Sequence, residues 1–505
     1  MTPSTALPRP TPRSDSIRRV LVLLAAAVGL GLAFAPFPLR FLALVGLVPF
    51  FYILLKAPPR RAFLWGWLFG GLAAAAHLWW VWFLVVPVEP VTRVLLNLGV
   101  VLMFAYLGLY TGVFAIAVRR LGLWAAPLAW PLLELGLSQL QIAFPWNLLG
   151  ASMTPWLPFA GLAALGGVYL VSAWVVLVNV LLYRLLFDRR RVRTALALVL
   201  AFALPIGYHA LRARPLDKWF TVAIVQPDVS PLDKGDWDSR ERIQADLVRL
   251  TREAGAARPD LIVFPETATL VDVTRSGSIG PVLRALVDSL GIELFTGSPL
   301  YNDAARSWHN GATLIRPLEW PPLQRYYKMF LVPFSEKIPY ADEVPLIRRL
   351  IGTADMGDWA RGRDWTVFQW RKGTLSGHIC FEIIFPQHAR ALARRGSMLL
   401  VNVTNDGWFG RLPGAHQHTE LSVMRAIETG LPLVRSANNG ISMVVGPYGN
   451  VVKHTRLFEQ AVLTSDVPVP AVVPPYRLWG DWPLLAFCLA GLLIGTLRRL
   501  RRRSR

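Results

Sequence analysis

The sequence predicts a multi-span α-helical membrane domain of eight helices joined to an α/β sandwich domain. Of the 505 residues, 54% are hydrophobic and only 17% are charged, which is more apolar than a typical soluble protein. Long apolar runs fill the chain before residue 215 and again after residue 480. Between residues 218 and 470, short β-rich runs alternate with amphipathic helical ones, and this alternation is typical of an α/β sandwich.

Eight apolar runs predict membrane helices, because a helix needs about 20 residues to cross a bilayer. The first run does not have the features of a cleavable signal peptide, since further spans follow at once and no clear small-residue cleavage site intervenes. The predicted spans cover residues 18–35, 38–55, 62–86, 92–118, 122–140, 159–187, 193–211 and 480–497.

Nearly all of the formal net charge of +21 lies in the apolar parts of the chain. Residues 218–470 contain 28 Lys and Arg against 26 Asp and Glu, whereas the remainder contains 25 basic and 6 acidic residues. A nucleic-acid-binding protein would carry its basic excess on a folded face. Short basic loops beside apolar spans instead indicate membrane topology. The charge pattern therefore predicts contact with a bilayer and no nucleic-acid partner.

Basic clusters alternate along the series of spans. One cluster lies before the first span and one lies at the end of the chain. The others lie in the loops between spans two and three, four and five, and six and seven. The positive-inside rule then places both termini in the cytoplasm. Seven crossings put the α/β domain on the outer side. We predict three parts: spans one to seven in 1–215, the α/β domain in 216–472, and span eight with a basic tail in 473–505.

The α/β stretch also predicts individual elements. A long loop over residues 342–365, rich in Gly, Pro and scattered charge, is predicted to be a surface lid. Strands are predicted at 221–226, 261–266, 292–299, 312–317, 377–382, 398–404 and 433–445, and helices at 240–256, 281–290, 386–395 and 420–429.

Two ionisable residues, His77 and Glu134, fall inside predicted spans. Such residues are functional candidates, but no relay of polar residues accompanies them, so hydrogen bonds between neighbouring helices are the favoured interpretation. The chain has two cysteines, which excludes a disulfide framework. Cys488 lies in an apolar run and is expected to be inert packing.

Three residues of the α/β domain, Glu266, Lys328 and Cys380, stand at strand ends or in adjoining loops. A partly buried Glu266 would suit a general base. Lys328, in an apolar and aromatic stretch, could stabilise a thiolate or an oxyanion. Cys380, between a strand and a helix, resembles an exposed nucleophile. Each has a structural alternative: a solvated carboxylate, a snorkelling lysine and a packed cysteine.

The combination of Glu266, Lys328 and Cys380, in that order, resembles the nitrilase superfamily, whose members share a Glu–Lys–Cys triad on an αββα sandwich. The resemblance implies that Glu266 is the general base, Lys328 the oxyanion stabiliser and Cys380 the nucleophile. Acidic residues Glu336 and Glu382 match positions that support the triad.

Longer blocks at residues 328–336, 379–384, 405–410 and 435–440 are similar to the apolipoprotein N-acyltransferase family, the membrane-embedded branch of the superfamily. The likeness covers essentially the whole chain. Two departures are visible: Ser335 stands where Gly is more usual, and Phe381 stands where Tyr is common. Neither removes a reactive group, but Phe381 cannot donate a hydroxyl hydrogen bond.

Other polar and aromatic residues carry weaker signals. Trp237, Phe381 and Trp408 are candidate substrate-binding residues, with ordinary packing as the alternative. His416 and His418 lie two apart beside an acidic residue, but no further His or Cys completes a metal site. We therefore interpret this pair as polarity at a helix start, and no metal or other cofactor is expected.

The family resemblance implies a bacterial inner-membrane enzyme with a periplasmic catalytic domain. It would move an acyl group from a phospholipid donor to a diacylglyceryl apolipoprotein acceptor through a cysteine thioester, and it is expected to be a monomer. Two alternatives are a membrane-tethered amidase or nitrilase that acts on a small soluble amide, and a non-enzymatic membrane receptor or transporter. Dependence of product formation on lipid distinguishes the first alternative, and thiol reactivity distinguishes the second.

The predicted topology can be tested with reporter fusions. A reporter fused after Ala305 should lie outside the inner membrane, and one fused after Arg505 should lie in the cytoplasm, because an odd number of crossings separates the α/β domain from each terminus. Paired alkaline phosphatase and green fluorescent protein reporters measure this. If both fusion sites report the same compartment, the count of crossings is wrong by one.

Overall fold

The computed structural model describes residues 12–86, 89–189, 191–234, 236, 238–275, 279–319, 321–340, 343–344 and 359–503. The helices that precede the α/β domain form one bundle. They are α1 (Pro12–Gly31), α2 (Phe41–Val45), α3 (Leu47–Lys56), α4 (Ala62–Leu78), α5 (Pro90–Leu121), α6 (Ala126–Leu137), α7 (Leu157–Ala160), α8 (Ala163–Phe187) and α9 (Arg191–Arg212).

The predicted count of eight membrane spans is not exact. Among the described residues, five helical stretches are long and apolar enough to cross a bilayer: Pro59–Phe83, Pro90–Leu121, Ala163–Phe187, Arg191–Arg212 and Trp482–Arg501. The runs predicted at 38–55 and 122–140 form the shorter apolar helices Phe41–Lys56 and Leu123–Leu137. The first run lies in α1, which begins in a polar, arginine-containing segment and ends at Gly31. Apolar composition therefore overestimated the lengths of the helices at 38–55 and 122–140 and placed the end of the first one four residues too late.

The α/β domain is a sandwich, as predicted, and each of its two sheets has six strands. In the first sheet, in the order β12-β1-β2-β3-β4-β5, the pairs β1–β2 and β2–β3 are parallel. In the second, in the order β11-β10-β9-β8-β7-β6, the pairs β7–β8 and β8–β9 are parallel. The strands are β1 (Lys218–Gln226), β2 (Leu261–Val263), β3 (Glu293–Asn302), β4 (Ser307–Ile315), β5 (Arg325–Tyr327), β6 (Phe368–Trp370), β7 (Gly373–Ile379), β8 (Leu399–Thr404), β9 (Leu433–Ala437), β10 (Met443–Val445), β11 (Val451–His454) and β12 (Ala461–Pro468).

Helices cover both outer faces of this sandwich. They are α10 (Pro231–Lys234), α11 (Arg240–Ala256), α12 (Gly280–Leu290), α13 (Pro386–Arg394) and α14 (Pro413–Thr429), and the chain continues through α15 (Pro475–Trp479) and α16 (Trp482–Arg503). The predicted helix at 240–256 has the observed bounds. The helix predicted at 420–429 begins earlier, at Pro413, because proline is favoured in the first turn of a helix.

Several strand predictions differ from the structure. The single strand predicted at 433–445 is wrong, since β9 and β10 are antiparallel neighbours joined by a turn. Strands β5, β6 and β11 were not predicted, because strands of three or four residues give too little periodicity, and the edge strand β11 is also exposed along its length. The eight-residue strand β12 was not predicted either. Of the predicted loop at 342–365, residues 342 and 345–358 lie outside the described residues.

The second sheet joins the α/β domain to the helical bundle through one continuous apolar core. Along β8, Leu399, Val401 and Val403 pack into the interior between the two sheets. The alternate residue Leu400 packs into the core of the helical bundle, together with Met424 of α14 and Val175 of α8. Because neighbouring side chains of a strand point to opposite faces, β8 contributes to both cores. The α/β domain is therefore packed against the bundle rather than attached to it by a linker.

Helix α14 also carries paired charges at its contact with the bundle. Arg40, in the loop before α2, forms an ion pair with Glu420 of α14, with 2.5 Å between Nη2 and Oε1. Farther along α14, Arg425 and Glu428 are fully buried, with 3.0 Å between Arg425 Nε and Glu428 Oε2. Buried charges need such partners because an unpaired ion loses its hydration without compensation.

Glu428 also completes a broken helix of the bundle. Helix α8 is kinked at Gly166 and Gly167, and Gly167 has a φ of +71°, a conformation that favours glycine. The kink leaves the amide N–H of Val168 without a helical partner, and it donates to Oε1 of Glu428 at 2.8 Å. A carboxylate of the α/β domain thus caps the second half of a membrane helix.

The structure assigns the two ionisable residues of the spans to hydrogen bonds. Glu134 Oε1 accepts from Trp130 Nε1 at 2.8 Å and from the amide N–H of Leu149 at 2.6 Å. This confirms a bond between neighbouring segments. The side chain of His77 faces Gln417, with 3.4 Å between Nδ1 and Nε2. His77 therefore contacts a helix of the α/β domain.

We predict that Glu428→Ala destabilises the protein strongly. The substitution leaves the buried Arg425 guanidinium without its carboxylate and removes the cap of α8, and breaking a buried pair from one side costs about 3 kcal/mol or more. The midpoint of thermal unfolding in detergent micelles should fall clearly. Glu253→Ala is the matched control, because Glu253 is exposed and lies 3.9 Å from Arg249. Equal midpoints for the two variants would contradict the proposed role.

Candidate active site

The residues predicted to carry chemistry meet where strands of the two sheets end. Glu266 follows β2 after a short connection, Lys328 directly follows β5, and Cys380 directly follows β7. Lys328 Nζ lies 3.3 Å from Glu266 Oε1. Lys328 and Glu266 are buried, whereas Cys380 is partly exposed. The Cys380 thiol interacts electrostatically with both Glu266 and Lys328, so the carboxyl ends of β2 and β7 form one site.

Cys380 occupies a sharp turn between β7 and a 3₁₀ helix (Cys380–Ile384). Its φ of +49° lies in the left-handed region, which is unfavourable for a residue with a side chain. The surrounding contacts must hold this conformation. A strained turn of this kind lifts a nucleophilic side chain out of the strand and towards the neighbouring loops.

Glu382 connects the cysteine turn to the loop that follows β5. Its Oε2 accepts the amide N–H of Ile379 at 2.8 Å. Its Oε1 accepts the hydroxyl of Tyr326 at 2.6 Å and the amide N–H groups of Met329 at 2.6 Å and Phe330 at 3.2 Å. Burial raises the pKa of Glu382 to about 7, although these donors favour the carboxylate. The side chain of Glu382, which was predicted to support the triad, thus bridges two loops of the site.

Lys328 is held between two carboxylates. Its Nζ lies 2.8 Å from Glu336 Oε1 and 3.3 Å from Glu266 Oε1. Asn310 of β4 bridges the same oxygens, because its Nδ2 donates to Glu266 Oε1 at 2.8 Å and to Glu336 Oε1 at 3.0 Å. Burial by itself lowers the pKa of Lys328, but Glu336 and Glu266 outweigh it and the pKa is raised. Lys328 is therefore a permanent cation.

Backbone contacts hold Glu266 in place. The amide N–H of Asn405, after β8, donates to Glu266 Oε2 at 2.9 Å. Lys234 Nζ donates to the carbonyl oxygen of Glu266 at 3.0 Å and to Thr267 Oγ1 at 3.2 Å. Burial lowers the pKa of Lys234 to about 8, and the Glu266 carboxylate opposes this shift. Lys234, Asn310 and Asn405 were not predicted as site residues, because each acts through contacts between segments that are far apart in the sequence.

The electrostatics of the site keep the thiol protonated at rest. Burial raises the pKa of the Cys380 thiol, and the Glu266 carboxylate raises it further, while Lys328 opposes the shift without overcoming it. The resting cysteine is therefore a thiol rather than a thiolate.

A second buried charged group lies behind the cysteine. Asp406 Oδ2 lies 2.6 Å from Arg435 Nη2, and Asp406 Oδ1 lies 2.9 Å from His418 Nδ1. Burial alone would raise the pKa of Asp406, but Arg435 and His418 lower it. The interpretation of His418 as helix-start polarity is wrong, because its ring is fully buried and its Nε2 lies 3.1 Å from the carbonyl oxygen of Cys380. The sequence signal that could have revealed this buried group is the charged residue Arg435, which directly follows the apolar run of residues 431–434.

The predicted substrate-binding residues have different surroundings. Phe381 is buried and packs against Phe144 of the bundle, with 6.0 Å between ring centroids. Trp408 is 37% exposed, and its carbonyl oxygen accepts the amide N–H of Val85. Trp237 lies outside the described residues. The first two residues therefore lie where the site borders the membrane domain.

Comparisons with known proteins give matches to both parts of the chain. The family model of carbon-nitrogen hydrolases matches residues 221–474, and that of the apolipoprotein N-acyltransferase N-terminal domain matches residues 26–181. The chain is 34% identical to an apolipoprotein N-acyltransferase of Geobacter metallireducens, over 98% of this chain and 96% of the relative. It is 32% identical to one of Pseudomonas putida, over 94% and 95%. A solved amidase from Nesterenkonia sp. is 21% identical, with a TM-score of 0.37, and the match covers 51% of this chain and 93% of the amidase chain.

We predict that the reactivity of Cys380 rises continuously with pH. Because the thiol pKa is raised, the thiolate fraction at neutral pH is small and grows about tenfold per pH unit. The rate of labelling by iodoacetamide, followed by intact mass in the Cys488→Ala background, should increase from pH 6 to pH 9 without a plateau. Cys380→Ala provides the baseline. A plateau near pH 7 would mean that the resting cysteine is a thiolate.

Proposed function

The chain belongs to the apolipoprotein N-acyltransferase family and is an N-acyltransferase of lipoprotein biosynthesis; from this premise we propose that it transfers a fatty acyl group through a thioester on Cys380. The donor is a membrane phospholipid. The acceptor is the α-amino group of the diacylglyceryl-cysteine that begins an apolipoprotein. The observation that supports this mechanism most directly is the cluster in which the buried Lys328 contacts Glu266 and Glu336, beside the partly exposed Cys380.

In the first half-reaction, Glu266 takes the proton of the Cys380 thiol as the sulfur attacks the acyl ester carbon. The oxygen of the tetrahedral intermediate becomes negative, and the Lys328 ammonium stabilises it. The carbon–oxygen bond of the ester then breaks. Glu266 returns its proton to the departing lysophospholipid oxygen, and the acyl group remains on sulfur. A pre-positioned ammonium suits this step because it needs no reorganisation when the charge develops.

In the second half-reaction, the α-amino nitrogen of the apolipoprotein attacks the thioester carbon. Glu266 accepts a proton from this nitrogen, and Lys328 again stabilises the oxyanion. The carbon–sulfur bond breaks, an amide forms, and the leaving thiolate takes the proton from Glu266. The raised pKa of the Cys380 thiol favours the return of this proton and so restores the resting state.

The membrane contacts of the site favour lipid substrates over a small soluble amide. Phe381 follows the nucleophile directly and packs against Phe144 of the helical bundle. The exposed Trp408 is backbone-bonded to Val85, just beyond a membrane helix. Both residues are suited to contact an acyl chain that reaches Cys380 from the bilayer. Substrates that stay in the membrane explain why the α/β domain shares a core with the bundle.

We also propose the placement of the parts within the cell. The α/β domain, residues 216–472, would lie on the periplasmic side of the inner membrane, and the basic C-terminal tail would lie in the cytoplasm. The alternation of basic loops supports this placement. One chain supplies Glu266, Lys328 and Cys380 together, which supports a monomer as the functional unit.

Mass spectrometry of the purified protein tests the mechanism. After incubation with micelles that contain equal amounts of phosphatidylethanolamine and phosphatidylglycerol, the peptide that contains Cys380 should gain the mass of an acyl group. Cys488→Ala should gain the same mass, and Cys380→Ala should gain none. Glu266→Gln keeps the shape of the side chain but cannot accept a proton, so its acylation should be slower by about 100-fold or more.

Three results would contradict the proposal. An acyl mass on Cys488 would overturn the assignment of the nucleophile. Acylation of Glu266→Gln at the wild-type rate would show that another group, such as Glu336 or Glu382, accepts the proton. Release of ammonia from a small soluble amide, with no acyl transfer from phospholipid, would favour the amidase alternative.

A further inference from the structure

The carbonyl oxygen of Cys380 is held by a side chain that the proposed mechanism does not use. His418 Nε2 lies 3.1 Å from this oxygen. Because a carbonyl oxygen can only accept, Nε2 must carry the hydrogen of the bond. The contact fixes the peptide that follows the nucleophile, whose left-handed φ of +49° is intrinsically unfavourable. Together with the Ile379–Glu382 bond on the other side of Cys380, it constrains the cysteine turn at both ends.

The ring of His418 is itself fixed in a fully buried network. Its Nδ1 lies 2.9 Å from Asp406 Oδ1 and 3.1 Å from Arg435 Nη2. Asp406 Oδ1 also accepts the hydroxyl of Thr404 at 2.9 Å. Each of these side chains is at most 1% exposed. The imidazole therefore has one available orientation, with Nε2 directed at the cysteine turn.

The residue beside His418 connects the same helix to the membrane domain. Gln417 Oε1 accepts the indole N–H of Trp80 and that of Trp146, each at 2.9 Å. Its Nε2 donates to the carbonyl oxygens of Ala35 at 3.1 Å and His77 at 3.2 Å. The amide group thus binds four groups from three separate segments of the bundle. Neighbouring residues of α14 contact the membrane bundle on one side and the nucleophile turn on the other.

We propose that His418 is a positioning residue for Cys380, and that Gln417 ties this residue to the membrane helices that present the lipid. His418 acts through the backbone of Cys380 and does not touch the reacting atoms. Loss of its Nε2 donor would let the cysteine turn relax and move the sulfur away from Glu266 and Lys328. A displacement of about 1 Å is enough to reduce a reaction rate by up to about 100-fold. The part of this inference that concerns acyl transfer rests on the proposed function.

Two amide substitutions separate positioning from simple filling of space. In His418→Gln, the amide nitrogen lies near the position of Nε2 and can still donate to the Cys380 carbonyl oxygen. In His418→Asn, the amide nitrogen lies near the position of Nδ1, so it can face Asp406 but cannot reach Cys380. The matched control is His416→Gln, because His416 is two residues earlier on α14 and only partly buried. All variants carry Cys488→Ala.

Two rates are measured for each variant: labelling of Cys380 by iodoacetamide, and acyl-enzyme formation from the same phosphatidylethanolamine and phosphatidylglycerol micelles. His418→Asn should lower both rates about tenfold or more, with the loss in kcat and little change in the KM for phospholipid. His418→Gln should recover both rates to within about threefold of the parent protein. His416→Gln should equal the parent protein.

Equal rates for His418→Asn and His418→Gln, whether both fast or both slow, would overturn the inference, because only the position of the donor differs. A loss that appears in KM alone would also overturn it. The labelling rate needs no acyl donor, so it tests the positioning role even if the parent protein forms no acyl-enzyme, which would count against the proposed function instead. If His418→Asn does not fold, a rate for His418→Gln more than tenfold below the parent protein contradicts the inference, and a rate close to the parent protein supports it.

Discussion

The buried Lys328 ammonium between the carboxylates of Glu266 and Glu336 is the interaction on which the site depends. Lys328 and Glu266 are buried and Glu336 is partly buried, and such a group is stable only because each charge has an opposite partner and further hydrogen bonds. Burial and the Glu266 carboxylate both disfavour a resting thiolate on Cys380, while the Lys328 ammonium opposes them. In the proposed mechanism, the same carboxylate accepts the proton when the sulfur attacks.

The second constraint is conformational. Cys380 adopts a left-handed backbone that its own side chain disfavours, so neighbouring groups must hold it. Glu382 holds the peptide before it and His418 the peptide after it. Glu382 also accepts two amide N–H groups of the loop after Lys328. Cys380 and the loop that follows Lys328 therefore share one hydrogen-bonded support.

The α/β domain and the membrane bundle behave as a single packed unit. Leu400 of the second sheet and Met424 of α14 belong to the core of the bundle. Helix α14 also makes polar contacts with the bundle, since Gln417, Glu420 and Glu428 each bind groups of the bundle. Glu428 even supplies the cap that α8 lacks at its glycine kink. A substrate that stays in the bilayer can thus reach a site whose geometry is set partly by the membrane helices.

The sequence by itself determined the division into a membrane bundle and an α/β sandwich, because apolar runs and alternating patterns depend only on local composition. It also singled out Glu266, Lys328 and Cys380 as candidates, since each stands at a strand end or in an adjoining loop beside apolar neighbours. Only the tertiary structure identified Asn310, Lys234 and His418 as parts of the site, because their contacts join segments from 32 to 44 residues apart and have no local period. It also decided the helix lengths and the two strands within 433–445, which depend on packing and turns rather than on apolar content.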